Sequence, residues 1–285
     1  MQTIIKSDFE NMSQEEKEKY LIDLFNGYLE RKGKNELYQT NDMIPKIIID
    51  SYYTFENPNF KNIYDSFKLK YIYNENMVEG VKEFEEIMGL IVVYDYILSY
   101  INQKDMNIFL ISILHQKLYS LVPHPEFGGN FRIEDAYIEG SGVEVTPYKL
   151  IPKEIMKLYI PAQELFSRGL KLSTKENTDD LFKYIEDCIK LKCKIIQIHP
   201  FKDGNGRTSR AFLNVLFKLV NLPPTYVTPE EKVAYKKAMQ NAIVENDFTD
   251  ICTFYYYKIC DSIVELDIKK KLNLDDDILP GGKQI

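Results

Sequence analysis

The stretch HPFKDGNGRTSR, residues 199–210, determines the local fold and is the most informative part of the chain. Its proline ends the helix before it, so His199 lies at a helix C-terminus with its ring facing out of the turn. Gly204 and Gly206 permit positive φ and leave room for a ligand against the backbone. We therefore expect a tight loop between two helices, with the second helix beginning at Asn205 or Gly206.

This loop combines residue types that bind phosphate groups. The first N–H groups of the second helix, up to about Thr208, lack partners within the helix and form an anion site. Arg207 and Arg210 are three residues apart, so both can reach a polyphosphate from one helix face. Asp203 would repel a phosphate unless a divalent cation lies between them, so Mg²⁺ is implied. Together with His199, these groups predict a phosphoryl or nucleotidyl transfer site.

Each of these features has a simpler explanation when it is taken alone. A histidine before proline is usually a helix-end residue, a Gly-Asn-Gly turn is usually just a turn, and paired arginines are usually solvated. The combination of all of them within residues 199–210 makes coincidence a poor explanation and favours a functional site.

Apolar residues recur with helical spacing along most of the chain, which predicts an all-α fold. Segment 131–145 differs, because short β-leaning runs flank a turn at Gly140, Ser141 and Gly142, so we expect one β-hairpin. The predicted helices cover residues 15–30, 82–101, 106–121 (with Asp105 as N-cap), 152–169, 179–198, 206–220, 230–245 and 250–268.

Bulk composition bounds the function class. The 285-residue chain is 45% hydrophobic and 28% charged, which is typical of a soluble globular protein. Its net charge of −7 argues against a nucleic-acid partner, because such a surface needs a clustered basic face. We find no apolar signal core and no membrane-spanning run, so we expect a cytoplasmic protein without a membrane partner. The four cysteines lack metal-like spacing and are expected to be reduced thiols.

At every defined position, residues 199–210 match H-P-F-x-[D/E]-G-N-G-R-x-x-R, the signature of the Fic family. Segment 129–147 also resembles the flap of that family, and the resemblance extends over residues 80–260. It implies a Fic-fold helical bundle whose flap pairs with an extended segment of a target protein. On this basis the chain divides into a helical N-terminal region (1–80), a Fic domain (81–268) and a frayed tail (269–285).

The resemblance also implies an activity: transfer of AMP from ATP to a Tyr, Thr or Ser hydroxyl of a protein, with release of pyrophosphate. His199 would be the general base, a task for which a neutral imidazole is suited, and Asp203 would hold Mg²⁺ on the phosphates. Tyr235 lies where family members often contact the base, although packing on an amphipathic helix explains it equally well. The other expected nucleotide-binding residues are Gly204, Asn205, Gly206, Arg207, Thr208 and Arg210, with Arg210 on the γ-phosphate.

Family members with an inhibitory helix carry [S/T]-x-x-x-E-[G/N], whose glutamate pairs with the second arginine of the signature. Here the sequence MVEG, residues 77–80, matches the end of that motif, so Glu79 is the expected inhibitory residue and Arg210 its partner. Glu75 stands at the Ser/Thr position, and this departure leaves the strength of inhibition open. The alternative explanation of Glu79 is a solvated carboxylate at a helix end.

Several functional alternatives stay open at this point. A Fic-type transferase could move another phosphate-containing group, or the chain could be a nucleotide-binding regulatory module with little turnover. Removal of AMP, with Glu79 orienting a water, is open as well, as are self-modification and formation of a homo-oligomer. The intact Gly-Arg half of the signature favours ATP and AMP transfer, and the intact His199 and Asn205 argue against an inactive module. We expect structural roles for His115 and His124.

Overall fold

The computed structural model describes residues 61–99, 101–138, 142–172, 178–220 and 222–278. Within these ranges the chain is helical and has no β-strand, which confirms the predicted all-α class. The helices are α1 (Lys61–Glu79), α2 (Phe84–Leu98), α3 (Leu110–Leu118), α4 (Ile151–Lys157), α5 (Tyr159–Leu172), α6 (Thr178–Ile198), α7 (Asn205–Leu219), α8 (Lys232–Val244) and α9 (Thr249–Ile278). Short 3₁₀ turns cover Gln103–Asp105, Pro125–Phe127 and Tyr148–Leu150.

Helix α7 lies at the centre of the fold and sets the position of the site. It packs against α1, α2, α3, α5 and α6, and almost all of its side chains are buried. Phe212, Leu213 and Leu216 are fully buried, so removal of apolar surface from water holds the helix in place. Its N-terminus, which carries the Gly-Asn-Gly turn, is therefore fixed relative to the surrounding helices.

Helix α3 begins later than the sequence pattern predicts. The expected N-cap, Asp105, lies instead in a 3₁₀ turn that the side chain of Asn102 caps. Asn107 Oδ1 then accepts a hydrogen bond from Phe109 N at 2.9 Å. Because two asparagine side chains satisfy the backbone before the helix, α3 starts only at Leu110.

The helix predicted over residues 152–169 is divided in two. Helix α4 ends at Lys157 and α5 begins at Tyr159, with Leu158 between them. The amide of Leu158 donates to the carbonyl of Ile155 at 3.0 Å, which tightens the last turn of α4. The remaining predicted helices within the described ranges agree with the structure to within a few residues, apart from the end of α9.

The two ends of the chain bear on the predicted domain division. Helix α9 continues to Ile278, so the tail predicted from residue 269 is helical up to that point. The N-terminal helix predicted over residues 15–30 lies outside the described residues. Helix α1 packs against α2, α7 and α9, and the boundary at residue 80 stays a prediction. Across the described ranges, no helix combines the length and apolar character that crossing a membrane would require.

The flap segment (residues 129–147) is irregular and not a β-hairpin in the part that the structure describes. Its described residues contain no strand, so the predicted hairpin is not formed there. Gly140 and Ser141 of the predicted turn lie outside the described residues. Gly142 lies within them at a φ of 60°, and a Cβ added to it would be 3.0 Å from Gln240 Nε2 of α8.

Hydrogen bonds to the neighbouring loop explain why no strand ladder joins the described parts of the flap segment. The amide of Arg132 donates to the carbonyl of Pro200 at 2.9 Å, and that of Thr146 donates to the carbonyl of Gln197 at 3.2 Å. Both partners lie in or just after the last turn of α6. The two amides are therefore bonded to the region around residue 199 and not to each other's segment.

Candidate active site

The signature loop (residues 199–204) is held by the side chain of Asn205. Asn205 Nδ2 donates to Phe201 O at 2.8 Å, and Asn205 Oδ1 accepts from Phe201 N at 2.9 Å. His199, the first residue of the loop, has a φ of 51°, which is uncommon for a residue with a side chain. Because both ends of the Asn205 side-chain amide bind the loop, the backbone N–H of Asn205 is the group that can contact a nucleotide.

Helix α7 has unused N–H groups at its N-terminus. Gly204, the N-cap, has a φ of 71°, and a Cβ there would lie 2.9 Å from the ring of Tyr119. The first hydrogen bond within the helix joins Thr208 N to Gly204 O at 2.9 Å. The N–H groups of residues 205–207 therefore have no partner within the helix, and with the helix dipole they form a place for an anion.

Asp203 and Thr208 flank these N–H groups. Asp203 is exposed, and its Oδ1 accepts a hydrogen bond from Gly204 N at 2.6 Å. Thr208 is buried, and its Oγ1 has no hydrogen-bond partner. In the described part of the chain, no three His, Cys, Asp or Glu side chains are grouped so as to hold a metal. A cation at Asp203 would therefore take its other oxygen ligands from phosphate and water.

The environment of His199 favours a neutral imidazole. Burial lowers the pKa of His199 below its usual value, and the positive charge of Arg132 lowers it further. The negative charges of Asp203 and Glu79 act in the opposite direction with smaller effects. Nδ1 makes no well-aligned hydrogen bond, although the nearby Ile196 carbonyl also favours the protonated ring. The net direction leaves the ring able to accept a proton near neutral pH.

Arg132 joins the flap segment to His199. Its Nε donates to His199 O at 2.8 Å, and its Nη1 donates to Glu134 O at 2.7 Å. Its Nη2 donates to Thr146 O, on the other side of the flap segment. One guanidinium therefore holds both described parts of the flap segment against the residue predicted to be the base.

His115, for which a structural role is expected, joins α3 to the signature loop. Gly129 N donates to His115 Nδ1 at 2.8 Å, so Nε2 carries the ring proton and donates to Asp203 O at 3.0 Å. The ring stacks on Phe201 with a centroid separation of 3.9 Å. Burial lowers the pKa of His115 to about 4, so the ring is neutral in the folded protein at neutral pH.

Arg210 is buried between two carboxylates of α1. Arg210 Nη2 lies 2.7 Å from Glu79 Oε1, and Arg210 Nε lies 2.6 Å from Glu75 Oε2. The predicted pairing of Glu79 with Arg210 is therefore present, and Glu79 is not a free, solvated carboxylate. Burial opposes ionisation of Glu79, but the charge and hydrogen bond of Arg210 prevail and lower the pKa of that carboxyl.

The Glu79 carboxylate also lies over the first turn of α7. A Cβ added to Gly206 would overlap Glu79 Oε1, so glycine is the residue that leaves room for the carboxylate here. The carboxylate thus lies beside Gly206 in the first turn of α7, close to the helix N-terminus where we expect an anionic phosphate. One anion of the protein therefore stands close to the place predicted for an anion of the ligand.

Arg207 is paired as well. Arg207 Nη2 lies 2.7 Å from Glu86 Oε2 of α2 and 3.2 Å from the Tyr119 hydroxyl. Arg207 Nη1 donates to Asn76 Oδ1 at 3.4 Å, a long hydrogen bond. The Nε atom is buried and has no partner, so it is an unused donor of this guanidinium.

Negative charge predominates around the two arginines. Three glutamates pair with Arg207 or Arg210, and the exposed carboxylate of Asp203 lies just before α7. A polyphosphate would add further negative charge to this site. Binding of a polyphosphate therefore requires that a carboxylate is released, that a cation binds, or both.

Tyr235 lies beside Arg210, in the first turn of α8. The guanidinium carbon of Arg210 is 5.8 Å from the centre of the Tyr235 ring. The Tyr235 hydroxyl accepts a hydrogen bond from Lys192 Nζ, a buried group that also lies 2.9 Å from Met239 Sδ. These contacts agree with the packing explanation of Tyr235, and its contact with the base stays a prediction.

Sequence reasoning missed Glu75, Glu86 and Arg132 as parts of this region. Glu75 precedes Glu79 by one helical turn, so the spacing places both carboxylates on one face of α1 and could have indicated a shared partner. Glu86 matches no motif, and Arg132 lies in the flap segment, where the resemblance gave it no role of its own. Their roles follow from the tertiary fold alone.

The fold and the site define a class: helical proteins in which a histidine precedes a phosphate-binding helix N-terminus with two arginines. The Fic/DOC family model matches residues 105–217. This range includes His199, the N-terminus of α7 and both arginines, but not α1 or α2. Residues 105–217 thus match the model of the Fic/DOC family, in agreement with the resemblance drawn from the signature.

Comparison with known proteins agrees with this assignment. Over 158 residues the chain is 30% identical to protein adenylyltransferase Fic of Drosophila melanogaster, a match covering 55% of this chain and 29% of the relative. The chain thus spans less than a third of that relative's length. A Fic-domain signaling protein from Bacteroides thetaiotaomicron has a TM-score of 0.60 at 16% identity, with 80% of this chain and 98% of that chain covered. Fic-1 from C. elegans gives 0.60 at 17% identity, with 81% and 73% covered, and both likenesses concern the fold alone.

Proposed function

We propose that the protein is an adenylyltransferase that moves AMP from ATP to a Tyr, Thr or Ser hydroxyl of a protein. One observation carries this proposal: His199 stands at the start of a fixed loop that leads into a helix N-terminus with unused N–H groups. Arg207 and Arg210 follow within the first two turns of that helix. Relatives that are 30% and 29% identical over 158 and 167 residues are named protein adenylyltransferase Fic, which supports the same activity.

In the proposed reaction His199 takes the proton from the target hydroxyl while that oxygen attacks the α-phosphate. A bond forms between this oxygen and the α-phosphorus, and the bond to the oxygen bridging the α- and β-phosphates breaks. Pyrophosphate leaves with the electron pair of that bond. The lowered pKa of His199 supports its role as base, since the ring is neutral when the hydroxyl arrives. The N–H groups of residues 205–207 and Arg207 would stabilise charge on the leaving group.

Mg²⁺ is proposed to bind at Asp203 together with phosphate oxygens. The fit rests on an exposed carboxylate next to the helix N-terminus, since a hard cation prefers oxygen ligands. When bound, the ion would neutralise part of the triphosphate charge in a site where carboxylates predominate. Asp203 would then hold the triphosphate in a fixed orientation.

Glu79 is proposed to inhibit the reaction. Its carboxylate binds Arg210 Nη2 and lies over Gly206, so it competes with the γ-phosphate for one guanidinium. ATP bound beside it would have its α-phosphate turned away from the line of attack. Glu79 in the same place is also proposed to orient a water for removal of AMP: the water oxygen would attack the phosphorus of the modified hydroxyl, the bond to the target oxygen would break, and AMP and the free hydroxyl would form.

The flap segment is proposed to bind the target protein. Ile133 and Tyr137 are 80% and 84% exposed, although both are large apolar side chains. Arg132 fixes the start of this segment against His199, so a target strand lying along it would bring a hydroxyl to the base. Self-modification, a homo-oligomer and a cytoplasmic location are further proposals.

A second function is favoured by the predominance of carboxylates in the site. Because Arg207 and Arg210 are already paired with glutamates of the protein, the protein could bind nucleotide with little turnover and act as a regulatory module. Transfer of another phosphate-containing group is the remaining alternative.

Labelled nucleotide separates these functions. The protein is incubated with Mg²⁺ and candidate target proteins, with ATP labelled at the α-phosphate in one series and at the γ-phosphate in the other. AMP transfer predicts that the α label, and not the γ label, enters protein. Entry of the γ label alone would show phosphate transfer, and binding of ATP without entry of either label would support the regulatory module.

A further inference from the structure

Glu75 differs from Glu79 although both bind Arg210. Glu75 is completely buried, whereas the Glu79 side chain is 32% exposed. Glu75 Oε2 accepts from Arg210 Nε at 2.6 Å, and its Oε1 accepts from Val227 N at 3.2 Å. Glu75 therefore joins α1, α7 and the segment before α8, and both of its oxygens are engaged.

The positions of the two glutamates in α1 give them different freedom. Glu79 is the last residue of the helix, and Gly80 follows it with a φ of 74°. Glu75 lies one turn inside the helix, between Tyr71 and Val78, which are both buried. Fraying of the last turn would release Glu79 and leave Glu75 in place.

The two carboxylates bind different edges of one planar guanidinium. Because the group is rigid and planar, a carboxylate on the Nε edge also fixes the direction of the Nη2 edge. Glu75 holds the Nε edge on the buried side, and Glu79 binds the Nη2 edge over Gly206. The ring of Tyr235 lies 5.8 Å from the guanidinium carbon and further limits its movement.

We propose that Glu75 is a positioning residue that holds Arg210 ready for the terminal phosphate of the nucleotide. When Glu79 leaves, Arg210 remains paired through Nε and presents Nη2 to the γ-phosphate. A buried arginine without Glu75 would lose its fixed partner and turn towards other acceptors. Glu75 therefore favours a nucleoside triphosphate over a diphosphate, and it supports the reaction where Glu79 opposes it. This inference rests on the proposed function only in taking ATP as the ligand.

Nucleotide binding tests this inference without any need for transfer. The affinities of ATP, ADP and AMP are measured by calorimetry with Mg²⁺, comparing Glu79→Gly with the double variant Glu79→Gly, Glu75→Gln. We expect the single variant to prefer ATP over ADP, and the double variant to lose about tenfold of that preference, since a charge-assisted contact is lost. Binding of AMP should be equal in both. Asp95→Asn in the Glu79→Gly background is the control, because it breaks the α1–α2 ion pair Lys68–Asp95 away from Arg210.

Two results would overturn the inference. One is an unchanged preference for ATP over ADP in the double variant. The other is an increase in AMP incorporation by Glu75→Gln alone, equal to that of Glu79→Gly, which would make Glu75 a second inhibitory residue. If Glu75→Gln does not fold, Glu75→Asp keeps the charge, shortens the side chain and should show the same loss of preference. Absence of AMP transfer with the predicted binding pattern would contradict the proposed function and leave the role of Glu75 standing.

Discussion

The signature loop and the flap segment contact each other but differ in how they are held. The loop is bonded at several points, through Asn205 on Phe201 and through His115 on Asp203. The described part of the flap segment is bonded to the end of α6 and to the loop through Arg132 and the amide of Thr146, and it leaves large apolar side chains exposed. The difference teaches that the groups proposed for chemistry lie on a fixed scaffold. The surface proposed for recognition leaves Ile133 and Tyr137 exposed, where a target could contact them.

The largest effect is expected from the loop itself. Replacing His199 with Ala should lower AMP transfer by about 10²–10⁴-fold, the usual cost of losing a general base. Binding of ATP should change little, because the imidazole acts on the incoming hydroxyl and not on the phosphates. Incorporation of the α label and calorimetry with ATP measure the two quantities. Transfer at the wild-type rate by this variant would refute the assignment of the base.

His115, which holds the signature loop, should also make the free energy of unfolding depend on pH. The pKa of His115 is lowered to about 4 from a usual value of 6.5, so the unfolded chain binds the proton first as pH falls. The neutral ring of His115 contributes on the order of 3 kcal/mol to the free energy of unfolding above pH ~6.5, and this contribution is lost as the pH falls towards ~4. His115→Gln should remove that part of the pH dependence in denaturant unfolding. His124→Gln changes an exposed histidine and is the control. Identical pH slopes for His115→Gln and the wild type would contradict this prediction.

Separation of the flap segment from the loop should have the next largest effect. Arg132→Ala removes three hydrogen bonds to backbone carbonyls and should lower the free energy of unfolding by about 2 kcal/mol. Transfer should fall as well, because the target surface is no longer held against His199. Arg168→Ala is the matched control, since it removes a partly exposed ion pair with Asp187. Equal effects of the two replacements would show that Arg132 does not join these regions.

Releasing Arg210 from Glu79 should raise the activity and not lower it. Glu79→Gly should raise kcat by about tenfold and change the affinity for ATP less, because alignment of the α-phosphate is what improves. Arg210→Ala should abolish this gain in the same background. Incorporation of the α label is measured with target and Mg²⁺ saturating. Unaltered incorporation by Glu79→Gly would mean that the contact with Arg210 has no inhibitory role.

Local patterns in the sequence predicted the loop well. Gly204, the proline and the following helix all lie within one short stretch, so local backbone preferences determine their geometry. Gly206 does not have a positive φ, and its small size instead leaves room for the Glu79 carboxylate. The pairing of Glu79 with Arg210 joins residues far apart in sequence, and it came from the family resemblance and not from periodicity. Glu75 could have been found by its one-turn spacing from Glu79, although its second partner, Val227 N, could not.

Predictions failed where a tertiary contact replaced a local one. The β-leaning runs of the flap segment suit a hairpin, but Arg132 and Thr146 bond to the end of α6 instead. Strand propensity describes a fit to neighbouring strands, and here a loop supplies the partner. Glu86 was missed for a similar reason, because only the packing of α2 against α7 brings it to Arg207.

The smallest effect is expected on the recognition side of the comparison. Tyr137 is 84% exposed in the flap segment and has no part in holding the loop. Tyr137→Ala should raise the KM for the target protein by roughly two- to fivefold, the effect of one peripheral contact, and leave kcat and ATP binding unchanged. Tyr73→Ala, at an exposed tyrosine of α1, is the matched control and should leave all three quantities unchanged. A fall in kcat with an unchanged KM would place Tyr137 in the chemistry, and recognition and catalysis would then not be divided between the flap segment and the loop.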